Sequence, residues 1–171
     1  MPMNPLRIGL IVLLCGLCLS ACGFRLAGTT EATGNTELPP QLLSIYLVTS
    51  NMNGVQRRAL VKSLTRAGAE VVAEADAASA KLAVILNELP DQQLATGGTG
   101  GGIVKRISRS LDFNIKSEDG EVIVAPRNLR QQVDITLDDN SLLASNREKK
   151  SVTRDLEQAL YDQLIRQLTL I

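Results

Sequence analysis

The sequence predicts an α/β fold of the α+β type: a two-layer sandwich whose four-stranded mixed sheet carries two helices on one face, in the order β-α-β-β-β-α. Three observations lead there. Lys81 to Leu89 (KLAVILNEL) is apolar on both faces, as an interior strand must be. Residues 107 to 116 alternate apolar and polar side chains, as a half-covered strand does. Two further segments show helical periodicity beside capping-box spellings, and a sheet with helices on one face buries all of these patterns at once. At 171 residues the chain has the size of one domain with one core, and its four aromatics leave Leu, Ile, Val and Ala to fill it.

Residues 23 to 40 are rich in Gly, Thr and Pro, lack an apolar period and close on Pro39-Pro40, so they read as a tether. Ser44-Ile45-Tyr46-Leu47-Val48 is the first strand. Asn53 then stands as an N-cap with Gln56 three residues on; Leu60, Leu64 and Ala67 follow at helical spacing, and Gly68 ends a helix of about four turns. With Lys81–Leu89 as the next strand, the spacing implies a right-handed parallel crossover. Residues 97–102 (GGTGGG) form a flexible connector that fits neither glycine-rich phosphate-binding spelling, since it leads into a strand.

In the third strand Ile107, Leu111, Phe113 and Ile115 share one parity, and Ser108, Ser110, Asp112, Asn114 and Lys116 the other. The wet parity suits either bulk water or the polar lumen of a large barrel. Asp119-Gly120 turns the chain, and Val122-Ile123-Val124 with Leu129, Val133, Ile135 and Leu137 returns it as a hairpin in which Pro126 implies a bend or bulge. Ser145-x-x-Glu148 is read as the capping box of the last helix, lined on one side by Val152, Leu156, Ala159, Leu160, Leu164 and Leu168.

Composition removes whole classes of chemistry. Eighteen Lys+Arg balance eighteen Asp+Glu, so no bulk charge points to nucleic acid. The chain has no His, which removes triads, Cys/His dyads and histidine-ligated zinc sites together. Cys15, Cys18 and Cys22 all lie near the N-terminus, so the body has no thiol for a disulfide or a metal. The carboxylate pairs Asp138-Asp139 and Glu118-Asp119 sit where turns need polar side chains. The expectation is a protein without catalytic residues, metal or cofactor. Two basic groups stand out: Lys105, Arg106 and Arg109 after the glycine loop, and Arg147, Lys149, Lys150 and Arg154 in the last helix. They fit a polyanionic ligand or a solvated face partly neutralised by Glu148 and Asp155.

The N-terminus is a targeting segment: Arg7, then an uncharged stretch from Ile8 to Leu19, shorter than the roughly 20 residues that span a membrane. Leu19-Ser20-Ala21-Cys22 resembles the bacterial lipobox, which implies that residues 1–21 are removed and that Cys22 carries covalent lipid, palmitate-type acyl chains included. By the same resemblance, Gly23 lacks the Asp that favours inner-membrane retention, so the address is the periplasmic side of the outer membrane. The resulting division is 1–21 signal peptide, 22–40 lipidated N-terminus and tether, and 41–171 folded domain.

The Cys22-Gly23-Phe24-Arg25-Leu26 start, the β-α-β-β-β-α order and the ending Ala159-Leu160-Tyr161-Asp162-Gln163-Leu164-Ile165-Arg166-Gln167-Leu168 together resemble the lipopolysaccharide-assembly lipoprotein LptE family. The resemblance implies a non-enzymatic plug inside the LptD β-barrel, forming a heterodimer with it, assisting its assembly and binding lipopolysaccharide. It places the family's ligand-binding Lys at Arg147, beside Lys149 and Lys150. A second family Arg falls within the glycine stretch, where Lys105 and Arg106 are the nearest cations. The competing expectation is another periplasmic lipoprotein: an adaptor, or a peptidoglycan-binding module.

Overall fold

The structure is a computed structural model that describes residues 38–96, 102–138 and 142–171. Cys22, the signal segment, nearly all of the tether and most of the glycine loop lie outside the described residues. The elements are β1 (Ser44–Ser50), α1 (Gly54–Arg66), β2 (Glu70–Val72), β3 (Ala80–Glu88), β4 (Gln92–Thr96), β5 (Gly102–Ser117), β6 (Val122–Asp138) and α2 (Leu142–Leu168). One-turn 3-10 helices stand at Pro40–Leu42 and Ala75–Ala77.

The α/β class and the two helices over one sheet face are as expected, but the sheet has six strands rather than four. β1 pairs in parallel with β3, across the α1 crossover, and β5 runs antiparallel to both β3 and β6. The two unforeseen strands are short. β2 has three residues and pairs with β1; β4 has five and continues the β3 edge along the first half of β5. Neither contributes a residue to the main apolar core beyond the half-buried Val71, so no burial pattern announced them.

Local chemistry sets the helix ends. The Asn53 side chain accepts hydrogen bonds from the N–H groups of Val55 and Gln56, while the Gln56 side chain accepts from the Asn53 N–H, a complete capping box. At the other end Gly68 takes φ +96°, a left-handed turn that costs a side-chain-bearing residue more. The last helix begins at Leu142, so Ser145 lies inside it rather than at its cap. Leu142, Leu143 and Ala144 all favour helix, and nothing in them stops it. The shift removes the second-turn cations from the region where the macrodipole acts.

The hairpin follows the alternation. Ile107, Leu111, Phe113 and Ile115 are buried, and Gly120 has φ +85° at the turn. Opposite Phe113 to Ile115, β6 holds one extra residue between Val124 and Arg127, so a bulge falls at Pro126, where a ladder donor is missing. The expectation for the other parity needs correcting. Ser108 and Ser110 are buried, not wet. Each is a small side chain on a central strand, in register with the longer Gln132, Arg130 and Asn87 on its neighbours, so neighbours on the same face shield them. Further along, Asp112 accepts hydrogen bonds from Asn87 (2.7 Å) and Asn128 (2.6 Å), tying β3, β5 and β6 together on the outer face.

The core has two parts. The larger joins Ile45 and Leu47 of β1, Leu60 and Leu64 of α1, Leu82, Val84 and Leu86 of β3, and Leu160, Tyr161, Leu164 and Leu168 of α2 to the β5 stripe. It also takes in Leu38 and Leu42, so the packed unit reaches back into the segment read as tether. The smaller holds Ile107, Ile135 and Leu156, with Val133, Leu137 and Val152 against them. Each fully buried Leu or Ile contributes about 1.5–3 kcal/mol. Between the two clusters on the same face of β5 lies Arg109.

Candidate functional site

The first turn of α1 and the first half of α2 converge on a groove of about 710 Å³. Asn146, Lys149, Lys150, Thr153, Arg154 and Glu157 recur at helical spacing and form the α2 wall; the α1 wall is the capping turn from Asn53 to Gln56 together with Arg58. The end of β3 adds Glu88. The floor is tied together by Gln56. Its amide oxygen caps its own helix, and its nitrogen donates to Glu157 Oε1 at 2.7 Å. One side chain therefore fixes both the start of α1 and the position of α2. Gln158, one residue further, donates to the Ser63 hydroxyl at 3.3 Å and repeats the link.

The groove wall carries Arg58, Lys149, Lys150 and Arg154 against Glu88 and Glu157. Lys149 is neutralised by Asp91, with which it forms an ion pair. Arg154 donates to the Lys150 carbonyl oxygen, and among the described residues neither Arg58, Lys150 nor Arg154 pairs with an acid. Glu88 is drawn back toward Arg109, 3.7 Å away. Arg109 itself is only 6 % exposed, donates to the Ser108 carbonyl oxygen and keeps a buried, unpartnered Nε. What the arrangement can do chemically is bind. It offers three charged donors to an anion, with polar side chains from Asn146 and Thr153 between them. Among the described residues no group of three His, Cys, Asp or Glu side chains is placed to hold a metal, and no helix is long and apolar enough to cross a membrane.

Of the cations singled out in the sequence, Lys149, Lys150 and Arg154 line this groove together. Arg147 is exposed on α2, outside the lining. Lys105 and Arg106 sit on β5 with opposite parity and so face opposite sides of the sheet. Lys105 shares the helix-covered side with Ile107, whereas Arg106 makes a two-pronged contact with Asp134 across β5 and β6, at 2.7 and 2.8 Å. That hydrogen-bonded pair holds the Asp134 carboxyl below, and the Arg106 guanidinium above, their ordinary values. An occupied guanidinium is a poor ligand contact. Arg58 was missed, and a charge signal was there to find it: no Asp or Glu stands between Glu37 and Glu70, while Arg57, Arg58, Lys62 and Arg66 do.

One turn past Glu157, Tyr161 is buried on α2 with no partner for its hydroxyl, and burial together with the Glu157 charge pushes its ionisation well above the ordinary tyrosine value.

The assembled geometry belongs to a known architecture. Sequence comparison alone returns neither a protein family nor a curated relative. Among solved structures, the chain is similar to an uncharacterized lipoprotein B from Nitrosomonas europaea, with a TM-score of 0.64 at 16% identity over 86% of this chain and 90% of that one. It is also similar to a minor lipoprotein from Acinetobacter baumannii (TM-score 0.60, 18% identity, 75% of this chain and 94% of that one). The rare lipoprotein B of Shewanella oneidensis gives a TM-score of 0.59 at 17% identity, over 72% of this chain and 92% of that one. The fold is thus one used by bacterial lipoproteins, spanning nearly all of each of these structures.

Proposed function

We propose that the chain is a non-enzymatic lipoprotein of the LptE kind, acylated at Cys22 and held at the periplasmic side of the outer membrane, which fills the lumen of the LptD β-barrel, assists its assembly and binds lipopolysaccharide. The observation that carries the ligand part is the groove: Arg58, Lys150 and Arg154 are gathered from two helices without a paired acid, a suitable arrangement for a phosphorylated glycolipid head. The lipobox at Leu19 to Cys22 and the fold shared with lipoproteins of three bacteria support the anchored part. The polar outer sheet face, with Asp112, Asn87 and Asn128 in one network, suits a wall of polar side chains such as a barrel lumen presents.

The test is purification of the whole chain from envelopes in mild detergent. Co-elution with a large β-barrel that resists unfolding by detergent until heated supports the reading. Sedimentation with cell-wall sacculi and no barrel overturns it in favour of a peptidoglycan-binding module.

A further inference from the structure

Helix α1 is a tract of uncompensated positive charge. Arg57, Arg58, Lys62 and Arg66 are all exposed, its sequence GVQRRALVKSLTR contains no acid, and no ion pair reaches any of the four among the described residues. The chain as a whole is neutral, so this is segregation of charge and not a by-product of composition. Arg57 closes the first turn, where a cation opposes the macrodipole and an acid would have stabilised the helix. Asp162 of α2 lines a small pocket with Arg66 and forms no ion pair with it; its carboxylate accepts from Gln158 instead. Glu70, just past the helix, is likewise unpaired with any of the four.

We infer that this face of α1 docks on an anionic phospholipid surface. Spacing and exposure select the occupant. Arg58, Lys62 and Arg66 are one turn apart along about 12 Å of the helix, and with Arg57, Val61 and Thr65 they line a shallow, open stretch of its surface. Cations strung along an open helix face meet a plane that carries many phosphates. Val55, 64 % exposed at the start of that face, adds an apolar contact to the plane. Proximity comes from the lipid anchor of the proposed function, and only proximity rests on it. The stretch from Cys22 to the first described residue reaches at most about 55 Å, so an anchored domain stays beside the leaflet. An acyl anchor combined with a polybasic patch is the two-signal arrangement that gives stable membrane attachment.

The experiment uses the whole chain carrying Cys22→Ala, which has no acyl group, and vesicles of phosphatidylcholine with or without phosphatidylglycerol. The residual apolar N-terminus contributes equally to both, so their ratio reads charge. Binding to vesicles holding about 30 mol % phosphatidylglycerol is expected to exceed binding to pure phosphatidylcholine more than tenfold at low salt. The difference should vanish near 0.5 M salt, where screening reaches only about 4 Å. The triple variant Arg57→Gln, Lys62→Gln, Arg66→Gln should weaken anionic binding by about fivefold per charge. Gln keeps helix propensity, and the charge-keeping set Arg57→Lys, Lys62→Arg, Arg66→Lys should bind like the parent. Equal binding by the neutral variant and the parent overturns the inference. So does a variant that keeps vesicle binding but loses lipopolysaccharide micelles, because the basic face then belongs to the glycolipid. Co-elution with the barrel is a separate readout, so the two readings can fail independently.

Discussion

The two ends of the sheet differ in what they exclude. At the end where β1, β3 and the second half of β5 meet the last turns of α2, the inward side chains are apolar but for the Tyr161 hydroxyl and Ser63, and nearly all are fully buried. At the other end, where β5 and β6 run on past β3, the apolar cluster shrinks to Ile107, Ile135 and Leu156, and Arg109 and Glu157 enter the interior beside it. The first region makes the fold. The second spends less burial per residue and holds the charges that line the groove, which is how a small domain keeps a rigid scaffold next to a polar site.

The comparison can be broken most directly by truncation. Leu160→Ala, in the dense cluster, should cost about 3–5 kcal/mol in urea or thermal unfolding, whereas Leu156→Ala, one turn closer to the groove, should cost about 2 kcal/mol. Equal costs would mean that the two ends are packed alike. Asn53→Ala should cost about 1 kcal/mol by removing the cap of α1. By removing the acceptor of the Val55 and Gln56 N–H groups it should also loosen the turn that forms the α1 wall and weaken anion binding in the groove, a coupling that a purely structural cap would not show.

Tyr161→Phe tests the dense cluster at its one unpartnered buried hydroxyl among the described residues. Deleting an unpartnered buried hydroxyl should stabilise the protein by on the order of 1 kcal/mol. Because the folded-state ionisation is raised, Tyr161 favours the fold fully below the unfolded tyrosine value of about 10 and loses that contribution as pH climbs toward the folded value. Thermal scans should therefore show an alkaline fall in the parent that Phe flattens. The smallest effect is at Asp134. Its lowered ionisation contributes stability above the unfolded Asp value of about 3.9 and loses it as pH falls through the folded one, so Asp134→Asn should trim the acid limb slightly. The exposed Arg106 pair makes the change small.

Periodicity made the scaffold legible in the sequence. Ile107, Leu111, Phe113 and Ile115 were readable as one buried stripe, and Asn53 with Gln56 as a cap, because both patterns are local. The start of α2 was misread for the same reason: Ser145 and Glu148 spell a local cap, but Leu142 and Leu143 extend the helix past it. β2 and β4 were illegible because runs of three and five residues are too short to carry an alternation; only pairing with β1 and β5 makes them strands. The site was legible in halves. Lys149 and Lys150 could be seen as a cluster, but nothing local says that Arg58, on another helix, closes the groove with them. Neither does chain proximity reveal that Lys105 and Arg106 part to opposite faces, with Arg106 engaged by Asp134, although strand parity alone predicts the parting.

The most direct measurement is lipopolysaccharide binding by the whole chain carrying Arg58→Gln, Lys150→Gln and Arg154→Gln, compared with one carrying Lys105→Gln and Arg106→Gln, each checked for an unchanged unfolding midpoint. The account predicts that the groove variant loses at least tenfold in affinity at low salt and the strand variant less than twofold. Undiminished binding by the groove variant, or a larger loss in the strand variant, would contradict it.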